Sequence, residues 1–146
     1  MDTGVLIVRL LVGGLLIVAG ALKLGHPSDL AATIAGFRLL PPAVVGPLAL
    51  ALPYVELVFG AYLVAGLLTR VVATIVALQF LLYAGAIASA VLRGIPANCG
   101  CFGPNDASVA DWPHVAFDLV LASASAFVAY NAPGALALDR RIGRRA

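Results

Sequence analysis

The chain has 146 residues, 62% of them apolar and 11% charged, and a formal net charge of +2. A soluble domain is roughly 45–50% apolar, so there is too little polar surface here to clothe a water-soluble fold. The small net charge also supplies no field of the kind that nucleic-acid binding uses. An apolar run of about 18 residues or more can cross a bilayer core of about 30 Å as a helix. Four such runs, near residues 4–24, 43–68, 71–91 and 113–132, predict an all-α integral membrane four-helix bundle filling one domain, 1–146.

The first run is interrupted by Arg9 and closed by Lys23. It has no basic stretch before it and is longer than a signal-peptide core of about 7–15 residues, so it is expected to remain in the mature protein. The connection GHPSDLAATIAGFRLLPP predicts a short interfacial helix after Pro27. The second run carries Glu56 near its middle, and Thr69 and Arg70 make the brief turn into the third, whose only strongly polar side chain is Gln79.

The segment RGIPANCGCFGPNDASVADWP then joins the third and fourth runs. Gly94, Pro96, Gly100, Gly103 and Pro104 permit tight backbone geometry, which predicts a structured extracytoplasmic loop pressed onto the bundle. Trp112 is placed as an interfacial anchor, and Asp111 as the cap of the fourth helix with Pro113 at its first position. Asp118 lies near the start of that helix, and a basic tail, 139–146, ends the chain. Four arginines just after a span fix topology and touch anionic headgroups, which is preferred to a nucleic-acid patch.

Small residues four apart, such as Ala61 and Ala65, Ala84 and Ala88, Gly85 and Ser89, and Ala122 and Ala126, allow close helix approach in lipid. The same packing need accounts for the likeness between the segments around Gly14 and Gly60 as readily as an internal repeat does. Lysine and arginine are enriched in cytoplasmic loops. Arg9, Arg70, Arg140, Arg141, Arg144 and Arg145 fall toward the termini, and Lys23, Arg38 and Arg93 toward the other side. Both termini are therefore expected in the cytoplasm, with the cysteine loop outside a plasma (inner) membrane.

Cys99 and Cys101, separated by one glycine, are the only cysteines. A disulfide across a single residue closes a small strained ring, and strained disulfides are more often labile or catalytic than structural. Such a ring also staples little, because cross-link stabilisation grows with loop length. A redox-active dithiol is the leading reading. Metal ligation by Cys99, Cys101 and His114 stays open, with Asp106 or Asp111 needed to complete a zinc site and copper(I) better suited to so few ligands. An inert local pair is the third reading. With no second cysteine pair, a redox role requires exchange with another protein's thiols or an acceptor such as a membrane quinone.

Charges within hydrocarbon are costly and mark pairs or functional sites. Glu56 is read as the partner of Arg9 in a structural ion pair, or else as a proton-handling group contacting a quinone head group, with Phe102 and Arg9 completing that candidate site. Lys23, His114 and Asp118 fall near the cysteine loop. A cation there favours thiolate, and a histidine or aspartate can take the thiol proton. The plainer alternative is a Lys23–Asp118 pair with a solvated His114.

The segments VRLLVGGLLIVAGALKL, YVELVFGAYLVAGLLTR and NCGCFGP resemble the MauE branch of the DoxX-like membrane proteins, and the resemblance covers most of the chain. It implies a four-helix membrane protein named for methylamine utilisation, acting beside a thioredoxin-like protein in forming or sorting disulfides during maturation of a quinoprotein dehydrogenase. Members also occur outside that pathway. The expected function is thus a membrane thiol–disulfide component exchanging with an extracytoplasmic thioredoxin-like partner. A non-catalytic assembly factor or copper-handling protein is the alternative.

Overall fold

The computed structural model describes residues 2–100, 103 and 108–143. Six helices follow in chain order: α1 (Asp2–Lys23), α2 (Pro27–Gly36), α3 (Pro42–Ala65), α4 (Thr69–Leu92), α5 (Trp112–Asn131) and the short α6 (Leu138–Ile142). α1, α3, α4 and α5 are each long and apolar enough to span a bilayer. Many large apolar side chains, including Leu11, Leu82, Val120 and Tyr130, face outward, as expected of a bundle whose solvent is lipid.

The helices pack as two intimate pairs, α1 with α3 and α4 with α5, joined by further α1–α5 and α3–α4 contacts. Glycine makes the first pair close. A methyl placed on Gly60 would stand 2.7 Å from the Gly13 carbonyl oxygen, and one on Gly20 would stand 2.8 Å from the Pro53 carbonyl oxygen. Where no hydrophobic force drives helices together, close backbone approach through small residues supplies the association energy. The small residues expected to do this do so only in part: Ala84 and Ala122 are buried, while Gly85 has nothing within 4 Å of an added methyl.

Val12, Leu16, Leu63, Val76 and Phe80 anchor the central core. A second cluster, of Ala84, Ile87, Cys99, Ala110 and Val115, lies at the end remote from the termini. α3 ends at Ala65 because Gly66 takes the left-handed conformation (φ 69°), with Gly66 N–H donating to Leu63 and Leu67 N–H to Tyr62, a Schellman stop.

Residues after α5 fold back under the α3–α4 turn. The Asp139 carboxylate accepts from the backbone N–H groups of Leu68 and Thr69 and from the Thr69 hydroxyl, each at 2.8 Å. It thereby satisfies donors that the first turn of α4 leaves open. Arg140 pairs with Asp2 at 2.6 Å. The stretch read as a basic tail therefore contributes a buried acidic cap; Arg144 and Arg145 lie outside the described residues.

At the opposite end, α2 packs on α3, and Arg93 at the end of α4 donates to the Phe37 carbonyl just beyond α2. Asp111 caps α5, its side chain accepting from His114 N–H. Because the helix starts at Trp112, Pro113 sits at the second helical position rather than the first. Within the α4–α5 loop, Cys99 N–H donates to Ser108 (2.9 Å) and Ala110 N–H to Ala97 (2.8 Å), around an antiparallel bridge between Asn98 and Val109.

Candidate functional site

Glu56 is 1% exposed and Lys23 4% exposed, and they form an ion pair in the bundle interior. The Lys23 ammonium donates to both carboxylate oxygens, at 2.8 and 2.9 Å. The Tyr83 hydroxyl donates to Glu56 Oε1 at 2.9 Å and accepts from Gln79 Nε2 at 2.9 Å. One tertiary and one local fact make this chain of contacts: the close passage of Gly20 beside Glu56, and the i, i+4 spacing that sets Gln79 and Tyr83 on one face of α4.

The expected Arg9–Glu56 pair is not formed. α1 and α3 run antiparallel and cross at Gly13 and Gly60, which puts Glu56 level with Gly20. Arg9 is then about three turns away, roughly 16 Å along the axis at 1.5 Å per residue. Arg9 is instead buried near the terminal end against Gly66, and donates to the carbonyls of Pro133 (2.9 Å) and Ala135 (3.3 Å). It therefore takes no part in a site with Glu56. The Lys23–Asp118 pair is not formed either, since Lys23 is committed to Glu56. Asp118 is 3% exposed and its Oδ2 has no hydrogen-bond partner. A cavity of about 30 Å³, with mostly apolar walls, lies beside Asp118, Lys23, Glu56 and Tyr83, a volume large enough for one water.

Cys99 is disulfide-bonded and 8% exposed. The chain's other cysteine, Cys101, lies outside the described residues, as do Phe102 and Asp106. The loop around them is seated on the bundle where glycine permits it. A methyl on Gly103 would meet the Leu22 carbonyl oxygen at 2.8 Å, and one on Gly100 would meet the Thr33 side chain at 2.5 Å.

Beside Cys99 is an apolar cavity of about 620 Å³ walled by α2, α3 and α4. Its polar lining side chains include Lys23, Gln79 and Tyr83, and Cys99 and Gly100 close its loop end. Volumes of about 300–1,000 Å³, mostly apolar with a few placed polar groups, typify small-molecule sites.

His114 does not line this cavity. Its Nδ1 is 2.5 Å from Asp111 Oδ1, on the outer side of α5, and this hydrogen bond is the main cause of an Asp111 carboxylate held below its ordinary range. Among the described residues no group of three or more His, Cys, Asp and Glu side chains is gathered in a way that could hold a metal ion. In its disulfide form, Cys99 offers no thiolate ligand. Of the sequence candidates, the structure thus brings together Lys23, Glu56 and Asp118, with Lys23 also reaching the cavity of Cys99. It leaves Arg9 at the far end and His114 at the surface.

Tyr83 and the cavity itself went unread in the sequence. The one available signal was Gln79, polar within an apolar helix and four residues from Tyr83.

Fold and site together define a multi-pass membrane protein, a four-helix bundle with a disulfide-forming cysteine at the rim of a large apolar cavity. The family model described as methylamine utilisation protein MauE matches residues 1–131. The chain belongs to this family. It is 36% identical over 124 residues to the methylamine utilization protein MauE of Paracoccus denitrificans, covering 84% of this chain and 67% of the relative. It is 35% identical over 118 residues to the protein of the same name from Methylophilus methylotrophus, covering 79% and 62%. The matched region thus amounts to about two thirds of the relatives' length. No solved structure matches the chain.

Proposed function

We propose that the chain is a membrane-embedded thiol–disulfide redox component of the methylamine-utilisation type, in which Cys99 and Cys101 exchange with an extracytoplasmic thioredoxin-like protein. One observation carries the reading: a chain with only two cysteines has Cys99 in the disulfide state at a cavity that reaches a buried ion pair. The step balances as an exchange. A thiolate of the partner attacks one sulfur of the pair, the second partner thiol resolves the mixed disulfide, and the partner leaves oxidised while Cys99 and Cys101 become thiols. Lys23, ion-paired with Glu56, lines the same cavity as Cys99. The excess of arginine toward the termini favours termini in the cytoplasm and the cysteine loop outside.

The test is trapping of the pair in intact membranes. A membrane-impermeant maleimide is expected to label the reduced cysteines from outside intact cells. One of the variants Cys99→Ser and Cys101→Ser is expected to accumulate a mixed disulfide with the partner, and the pair's potential should lie above the roughly −300 mV typical of structural disulfides. Wild-type partner oxidation in both serine variants, or a potential at or below that value, would replace this reading with an assembly or copper-handling role.

A further inference from the structure

We infer that the apolar cavity between α2, α3 and α4 binds a lipid-soluble quinone, its ring held among Lys23, Gln79 and Tyr83 and within reach of Cys99. This deepens the disulfide-exchange reading and rests on it for the source of electrons. Three observations converge on that occupant.

The cavity is large and almost wholly apolar: Ile34, Phe37, Leu52, Val55 and Ile75 are among its walls. Two of its walls, α3 and α4, are long enough to span a bilayer, so its natural ligands come from lipid. Its polar equipment also suits an acceptor ligand. Lys23 has three ammonium donors, of which two go to Glu56, and the Gln79 amide has two N–H donors, of which one goes to Tyr83. Both residues line the cavity, and their remaining donors match carbonyl oxygens, which accept only. The third observation is Cys99 itself, a half of a two-electron couple buried on the cavity side of the loop. No second cysteine pair is present to receive its electrons.

The chemistry closes on itself. Two thiols lose two electrons and two protons as the Cys99 disulfide forms, and one quinone takes up both pairs as the hydroquinone, so no further oxidant or proton source is required. An acyl chain would match the walls but would leave the Lys23 and Gln79 donors without acceptors, at the cost that buried polar groups carry when unpaired. Arg9, expected beside Glu56 in such a site, is engaged at Pro133 and Ala135 instead, and Gln79 and Tyr83 take its place; Phe102 lies outside the described residues.

The experiment uses the full chain in nanodiscs made with and without ubiquinone, with a short-tailed benzoquinone as the titrated probe. Saturable binding of about one probe per chain is expected, detected by a rise in melting temperature and by equilibrium dialysis. Gln79→Leu should weaken binding about tenfold, the loss of one well-placed hydrogen bond. Ala86→Phe, which adds a ring to the cavity wall, should weaken it more than tenfold. Single-turnover oxidation of a dithiol by the oxidised wild-type chain is measured separately. If the chain oxidises the dithiol but binds no quinone, or if both variants bind as wild type does, this inference falls while the exchange reading stands. If quinone binds and no dithiol is oxidised, the exchange reading falls and the site remains. Displacement of the probe by phospholipid alone, at equal affinity in wild type and Gln79→Leu, would make the cavity an acyl-chain groove and overturn the inference.

Discussion

Lys23→Met tests the central electrostatic feature of the bundle. Both members of the Lys23–Glu56 pair are more than nine-tenths buried, and the ammonium meets both carboxylate oxygens, so solvent screening gives little relief. Removing one partner of a buried pair strands the other charge and costs about 3–5 kcal/mol. At about 2–4 °C per kcal/mol for a chain of this size, the melting temperature should drop by about 6–20 °C. Loss of the Tyr83 hydroxyl is a much smaller perturbation, since a polar contact within a membrane bundle averages about 0.6 kcal/mol. The stranded charge therefore dominates. The assay is thermal unfolding in detergent of Lys23→Met, Glu56→Gln and the double variant. The double variant should lose less than the sum of the singles by more than about 0.5 kcal/mol, the scatter of additivity for independent sites. Arg9→Gln combined with Glu56→Gln should instead add within that scatter. Additive losses at Lys23 and Glu56, or coupling between Arg9 and Glu56, would show that the register of α1 against α3 is wrong.

Two further expectations concern packing and pH. Gly60→Ala should lower the melting temperature, because the new methyl meets the Gly13 carbonyl and Ile17 at 2.7 Å and overpacking of this kind costs about 1–3 kcal/mol; Gly85→Ala, with open space around it, should be neutral or slightly stabilising, and equal losses at both sites would refute the crossing point. Asp111 is held below its ordinary range by its hydrogen bond to His114, so its contribution to stability is complete above the usual carboxylate value of about 3.9 and disappears as pH falls through the lowered folded value. Melts of wild type against Asp111→Asn should show a gap at pH 5 that closes toward pH 2, and a gap that persists at pH 2 would contradict the assignment.

Much of the framework was legible because it depends on composition and local pattern. Four apolar runs specify four long helices wherever backbone groups must be satisfied without water. Pro27 and Asp111 announce helix starts through their own chemistry, and the spacing of Cys99 and Cys101 marked the loop. The partners of the buried charges were not legible. Arg9 and Lys23 are both cations on α1, and either can be brought to Glu56 by sliding the helix; only the contact of Gly13 with Gly60 chooses Lys23. Asp139 looked like part of a basic tail because its donors, the backbone N–H groups of Leu68 and Thr69, belong to a turn some seventy residues earlier.

Composition and local pattern thus specify the class of the molecule: its solvent, its four spans, the place of its cysteine loop in the chain and the presence of charges that need partners. Which groups meet is set by packing alone. Pairing depends on the relative height and rotation of neighbouring helices, and these are set by glycine-to-carbonyl contacts of a few ångströms. The cavity joining Cys99 to Lys23, Gln79 and Tyr83 is likewise a space left between α2, α3 and α4, and no single segment encodes a space.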